Sequence, residues 1–175
     1  LADDSKPGEK VTKQESTASN ELENCKKAVA AEIENCRKNN EVMSPRLAST
    51  QIALAEGYEH QNQVDEAEKQ YLAVAEGAAK AEAGNVQFII SPLAFSKLAQ
   101  FLERRGKLKE AEEWYQKVVN MRVNAHALNI QADALNHYAT MLRAQHNYVR
   151  AAQLDFHAQS LRASKADLDR KGLDY

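Results

Sequence analysis

Alanine recurs in this chain at positions where a pair of packed helices needs a small side chain. Three segments align on it, beginning at Leu47, Pro92 and Gln131. In each, a first helix is expected to carry Ala55, Ala99 or Ala139, with a large apolar residue soon after it at Tyr58, Leu102 or Leu142. A polar turn follows, holding Asn62, Gly106 or His146. The second helix opens at Val64, Leu108 or Tyr148 and presents a second small residue, Ala67, Ala111 or Ala151. Two antiparallel helices approach closely only where a small side chain on one receives a bulky one from the other. The second-helix alanines lie 44 and 40 residues apart. A helix pair of this kind cannot bury its faces alone, so a period of this length points to stacked pairs. Ser44-Pro45 and Ser91-Pro92 supply matching start signals, a capping residue followed by Pro at the first helical position.

The second-helix segments DEAEKQY, KEAEEWY and VRAAQLD resemble the tetratricopeptide repeat, in which an alanine near the start of the second helix is followed four residues on by an aromatic. Tyr71 and Tyr115 fill the aromatic position, whereas the third segment has Asp155 there and Phe156 one residue later. The period exceeds the family's usual length of about 34 residues and is similar to the extended variety found in kinesin light chain and many bacterial proteins. The resemblance covers Leu47 to about Ala163. It implies an all-α fold, a right-handed superhelical solenoid of antiparallel helix pairs. Residues 45–172 would form a three-repeat domain with a C-terminal helix extension. It also implies a non-catalytic scaffold that binds another protein or a peptide on the concave surface lined by the first helices. Carried over position by position, that groove comprises Ser49, Ile52, Glu56, Glu59 and His60 in the first repeat. The second gives Leu93, Ser96, Gln100, Glu103 and Arg104, and the third Asp133, Asn136, Thr140 and Arg143. The chaperone-binding members of the family use Lys and Asn where this chain has Ile52 and Glu56, and a later Lys where it has Asp133. Capture of a chaperone's C-terminal carboxylate is therefore not expected.

Outside the repeats the signals change. Residues 1–20 mix charges with Gly, Pro, Ser and Thr and read as a disordered tail or linker. Leu22, Cys25, Val29, Ile33 and Cys36 then recur at helical spacing, predicting an N-terminal helix over 21–40 that breaks at Asn39-Asn40. The stretch after the first long second helix supplies Val86, Phe88, Ile89 and Ile90, which read as an apolar plug between helices. The next second helix is expected from Lys107 to about Val123, and the last to about Arg170 with Gly172 as its stop. Leu161 and Leu168 on that last helix read as a cap on the stack or as a place where further chain continues. Starting at Leu1, the sequence reads as a fragment or a processed product, with cytoplasmic and exported locations both open.

Charge and chemistry narrow the function classes. The 175 residues hold 23 basic and 25 acidic side chains, a net charge of -2, which removes the broad electrostatic case for nucleic acid or an anionic membrane. No apolar run approaches the roughly 18 residues of a membrane span, so direct insertion is not expected. The histidines, His126, His137 and His146 among them, are scattered without an HExxH spacing. No Ser sits in a G-x-S-x-G elbow and no Gly-rich phosphate loop occurs. Catalysis, metal and cofactors are accordingly not expected. Cys25 and Cys36 are eleven residues apart on one helix, about 16.5 Å by rise, too far for a mutual disulfide. Burial of both thiols and pairing with another segment or chain stay open. Trp114 beside Tyr115 reads as packing against the following helix or as an exposed anchor. The competing functions are self-assembly into a homo-oligomer through the terminal helices and a regulatory domain of a larger protein.

Overall fold

The computed structural model describes the backbone of residues 7–83 and 90–172, with side chains over 20–82 and 90–172. Among the described residues the protein is all-helical, with no strand. The helices are α1 (Pro7–Asn39), α2 (Pro45–His60), α3 (Val64–Ala83), α4 (Ser91–Arg104), α5 (Leu108–Asn120), α6 (Leu128–Ala144) and α7 (Tyr148–Lys171), with a short 3₁₀ turn at Ala125–Ala127. The chain divides into two compact units, one ending at Gln70 and the other beginning at Tyr71.

Three connections share one turn. Asn62, Gly106 and His146 all adopt left-handed backbone, with φ of 56°, 73° and 61°. The amides of Gln63, Lys107 and Asn147 each donate to a carbonyl five residues back, on Tyr58, Leu102 and Leu142, at 2.8–2.9 Å. The left-handed residues donate in turn to Glu59, Glu103 and Arg143 at 2.9–3.0 Å. This is the Schellman closure, which satisfies the last carbonyls of a helix and reverses the chain. α1 ends in the same way at Asn40, with Glu41 donating to Cys36 at 2.9 Å. The amides of Ala67, Ala111 and Ala151 then donate to Gln63, Lys107 and Asn147 at 3.0–3.1 Å and open the following helices. Because the turn fixes where these alanines fall, each is at most 1% exposed.

In the first unit α1 packs on α2. Leu22, Val29 and Cys36 form its buried stripe. A Cβ built on Gly57 would lie 3.0 Å from a Leu22 methyl carbon, so glycine here spares the Leu22 side chain a small shift. Glu32 is buried on α1 and is neutralised by Arg46 at 2.8 Å.

In the second unit α5 packs on α4, α7 packs on α6, and α6 also touches α4 and α5. Tyr71 meets Phe101 with ring centroids 5.2 Å apart, and Tyr115 stacks on Tyr138 at 5.1 Å, nearly parallel. Ala99, Ala111, Ala139 and Ala151 are all buried in this unit. α6 and α7 run antiparallel: Asp133 pairs with Arg162 at one end and Arg143 with Asp155 at the other.

Several boundaries differ from the sequence reading. α1 begins at Pro7, inside the segment read as a tail. That segment is polar, so it lacks an apolar stripe, yet its Glu, Lys and Gln residues propagate a helix once one is nucleated. α5 stops at Asn120, short of Val123, because Met121 turns extended at ψ 142°. Gln131 satisfies the freed carbonyls there, donating to Val118 at 2.8 Å and Met121 at 3.1 Å. The two Ser-Pro starts are not equivalent. Ser44 caps α2 by accepting from Leu47, whereas Ile90 occupies the cap position of α4 and Ser91 is already helical. Of the plug residues, Val86, Phe88 and Ile89 lie outside the described residues, and Ile90 is half-buried.

Candidate functional site

The first-helix positions on α2 fall in the first unit and those on α4 and α6 in the second. On α2, Ser49 is exposed and its hydroxyl donates to Arg46 at 3.0 Å. Glu56 and Glu59 are half-buried, and His60 is exposed in the last turn. Ile52 is 6% exposed, so it offers a ligand almost no surface. On α4, Leu93, Gln100 and Glu103 are half-buried and Arg104 is exposed. Ser96 is 4% exposed and accepts from Gln100 at 2.9 Å, so it acts through its neighbour rather than as lining. Glu103 accepts from the Tyr115 hydroxyl at 3.2 Å. Burial, reinforced by Glu103, pushes the Tyr115 hydroxyl far above its usual range, so it remains a donor.

The α6 positions are engaged by α7. Arg162 binds Asp133 at 2.7 Å, and with the Asn136 amide oxygen turned toward it, a second contact forms at 2.6 Å. Arg143 pairs with Asp155, and Thr140 donates to the Asn136 carbonyl at 2.9 Å. Asp133, Asn136 and Arg143, read from sequence as groove lining, therefore already hold the terminal helix. These are exposed pairs worth about 0–1 kcal/mol each, weak enough for a ligand to displace.

One cleft was not anticipated from sequence. α5, α6 and α7 enclose a cleft of about 340 Å³ lined by Gln116, Val119, Asn120, Tyr138, Arg150, Gln153, Leu154 and His157. Each wall repeats at helical spacing, 116, 119 and 120 on α5 and 150, 153, 154 and 157 on α7, which is the only signal a sequence carries for it. At its edge Glu112 accepts from the Tyr138 hydroxyl at 2.9 Å, from Arg150 at 2.6 Å and from Gln116 at 3.3 Å. The Arg150 guanidinium also lies 5.3 Å from the centre of the Tyr138 ring. Partial burial opposes ionisation of Glu112, but the Tyr138 and Arg150 hydrogen bonds outweigh it and hold the carboxyl below its ordinary value. Burial, together with Glu112, pushes Tyr138 up to about 12.

The remaining polar candidates have local roles. Trp114 packs on Phe95 of the preceding helix, at 5.3 Å, and carries Lys117 over its ring at 3.3 Å. His137 and His126 are exposed, and His146 contacts the Tyr148 hydroxyl at 3.0 Å. Cys36 is buried and Cys25 half-buried, both as free thiols. Among the described residues no group of three or more His, Cys, Asp or Glu gathers as metal ligands, and no helix is long and apolar enough to cross a membrane. No family model, curated protein or solved structure matches the chain.

Proposed function

We propose that this chain is a non-catalytic interaction module whose helix pairs are tetratricopeptide-like repeats of the extended type. They stack as a right-handed superhelical solenoid and bind a peptide segment or protein surface along the first helices. The observation that supports this reading best is the threefold recurrence of one left-handed turn, with the same hydrogen bonds and the same buried alanine after it. A preformed helical array offers a surface that binds without first being ordered, and selectivity comes from polar and shape complementarity rather than bond chemistry. On α4 and α6 the exposed or half-buried groove positions include Leu93, Gln100, Arg104 and Thr140. Affinity capture from the source cell with a Gln100→Ala/Arg104→Ala/Thr140→Ala variant tests it. The proposal expects a partner held by the native chain to fall by about tenfold or more with the folded variant; equal capture rejects the groove.

A second reading, self-assembly through the terminal helices, rests on Val149 and Phe156, each 75% exposed on α7. Light scattering separates its two routes. A dimer lost in Phe156→Ser is helix-driven, one lost in Cys25→Ser/Cys36→Ser is thiol-linked, and a native monomer removes the reading.

A further inference from the structure

The outward face of α7 carries an apolar seam. Tyr148 is 61% exposed and Val149 and Phe156 are each 75% exposed, with Ala152, Gln159, Ala163 and Ala166 exposed beside them. From Val149 to Ala166 these positions alternate by three and four, the spacing of a coiled-coil seam. They run about 25.5 Å along the helix. Large apolar side chains gathered in the open on one face mark an interaction surface.

The neighbouring pair shows how the same face is used when it is covered. Counted from the buried alanines Ala111 and Ala151, the residues Ala152, Phe156 and Gln159 stand where α5 has Glu112, Gln116 and Val119. On α5 those positions meet the next pair. Glu112 accepts from Tyr138 of α6 and Arg150 of α7, while Gln116 and Val119 line the cleft between the three helices. On α7 the carboxylate has become Ala152 and the amide Phe156, neither of which accepts a side-chain hydrogen bond. A further pair docking as α6 and α7 dock would leave its own tyrosine hydroxyl and guanidinium without an acceptor. The face is built for an apolar partner, not for another repeat in the same register.

Two features select a second copy of this chain. Every Asp, Arg and Lys of α7 from Tyr148 to Lys165 is already paired within the chain: Arg150 with Glu112, Asp155 with Arg143, Arg162 with Asp133 and Lys165 with Asp169. No unmatched charge on the face repels its own image. The seam is also graded in size, bulky at Tyr148, Val149 and Phe156 and small at Ala163 and Ala166. Antiparallel pairing sets the bulky half of one helix against the small half of the other, and a two-fold axis does so twice. Parallel pairing would set Phe156 on Phe156 and leave alanine facing alanine.

We infer that α7 pairs antiparallel with α7 of a second copy. Val149 of each lies opposite Ala166 of the other, Ala152 opposite Ala163, and Phe156 beside Gln159 near the axis. This pairing rests on the reading of self-assembly through the terminal helices, and gives it a face, a direction and a register. Tyr148, Val149 and Phe156 supply the large side chains of the seam, so the contact is small and the dimer forms reversibly at micromolar concentration or above.

Sedimentation velocity of the 175-residue chain over a concentration series should show a monomer–dimer equilibrium. Phe156→Ser, and Ala163→Glu, which brings like charge to the seam from an exposed position, should each weaken dimerisation at least about tenfold. Cys25→Ser/Cys36→Ser should leave it unchanged. Circular dichroism checks that each variant is folded; if one seam variant is not, the other decides. In the Cys25→Ser/Cys36→Ser background, Ala152→Cys mixed with a size-tagged Ala163→Cys should form the mixed disulfide on oxidation, at least about fivefold faster than either forms one with itself. A monomer at every concentration overturns both this pairing and the reading on which it rests. A dimer unchanged in the folded seam variants, or disulfides that join identical positions, overturns the pairing and leaves self-assembly by another route standing.

Discussion

The α4–α5 and α6–α7 pairs are built on one turn yet finish differently. In the first, Gly106 takes the left-handed position and Tyr115, four residues after the buried alanine, is covered by Tyr138 of the following helix. In the second, His146 is held at φ 61° and the equivalent of Tyr115 is Asp155, which reaches back to Arg143 on its own pair. The position remains half-buried and becomes ionic. Phe156 does not substitute for the missing ring, because one residue along a helix rotates a side chain by about 100°, and it stands 75% exposed. The same backbone thus carries an aromatic where another helix lies over it and an ion pair where the position is half-exposed.

Breaking this contrast at the aromatic position should give the largest effect. Tyr115→Ala removes a fully buried ring and should cost about 3–5 kcal/mol in chemical denaturation, whereas Asp155→Ala should cost at most about 1 kcal/mol. Similar losses at both sites would mean that the two pairs are packed alike. At the turns, Gly106→Ala should destabilise by about 1 kcal/mol, since a Cβ is disfavoured in left-handed backbone. His146→Gly should stabilise by about 0.5 kcal/mol, the relieved strain being reduced by loss of the Tyr148 contact. Melting curves of the two variants should move in opposite directions.

Acid sharpens the comparison through Glu112, which joins the two pairs by receiving Tyr138 and Arg150. Its carboxyl sits below its ordinary value of 4.5 when folded. The stabilisation is therefore complete above that value and is lost as pH falls through the lower folded one. The stability difference between the native chain and Glu112→Gln should be present at pH 7 and shrink below pH 4.5; a difference independent of pH would remove the charge from the account. The smallest effect belongs to Phe156→Ser, within about 0.5 kcal/mol of the native chain.

What could be read from the sequence follows how local each interaction is. Ala55, Ala99, Ala139 and the second-helix alanines were legible because a close helix crossing demands a small residue at a fixed distance from the turn. Asn62, Gly106 and His146 were legible as a polar turn, but the left-handed backbone all three share was not read from them. The end of α5 was not, since it depends on Gln131 reaching back across thirteen positions to the Val118 carbonyl. Nor was the engagement of Asp133, Asn136 and Arg143 by α7, which depends on how the terminal helix is rotated in three dimensions. Burial of Ile52 and Ser96 escaped for the same reason, and the cleft requires three helices to exist at all.

The most direct measurement of the central claim places a photo-crosslinking residue at Gln100 on α4, or at the exposed Lys109 on α5, and irradiates each folded protein in source-cell extract. Binding along the first helices predicts a discrete polypeptide adduct from position 100 and none from position 109. Adducts from both positions alike, or from neither, would contradict binding along the first helices.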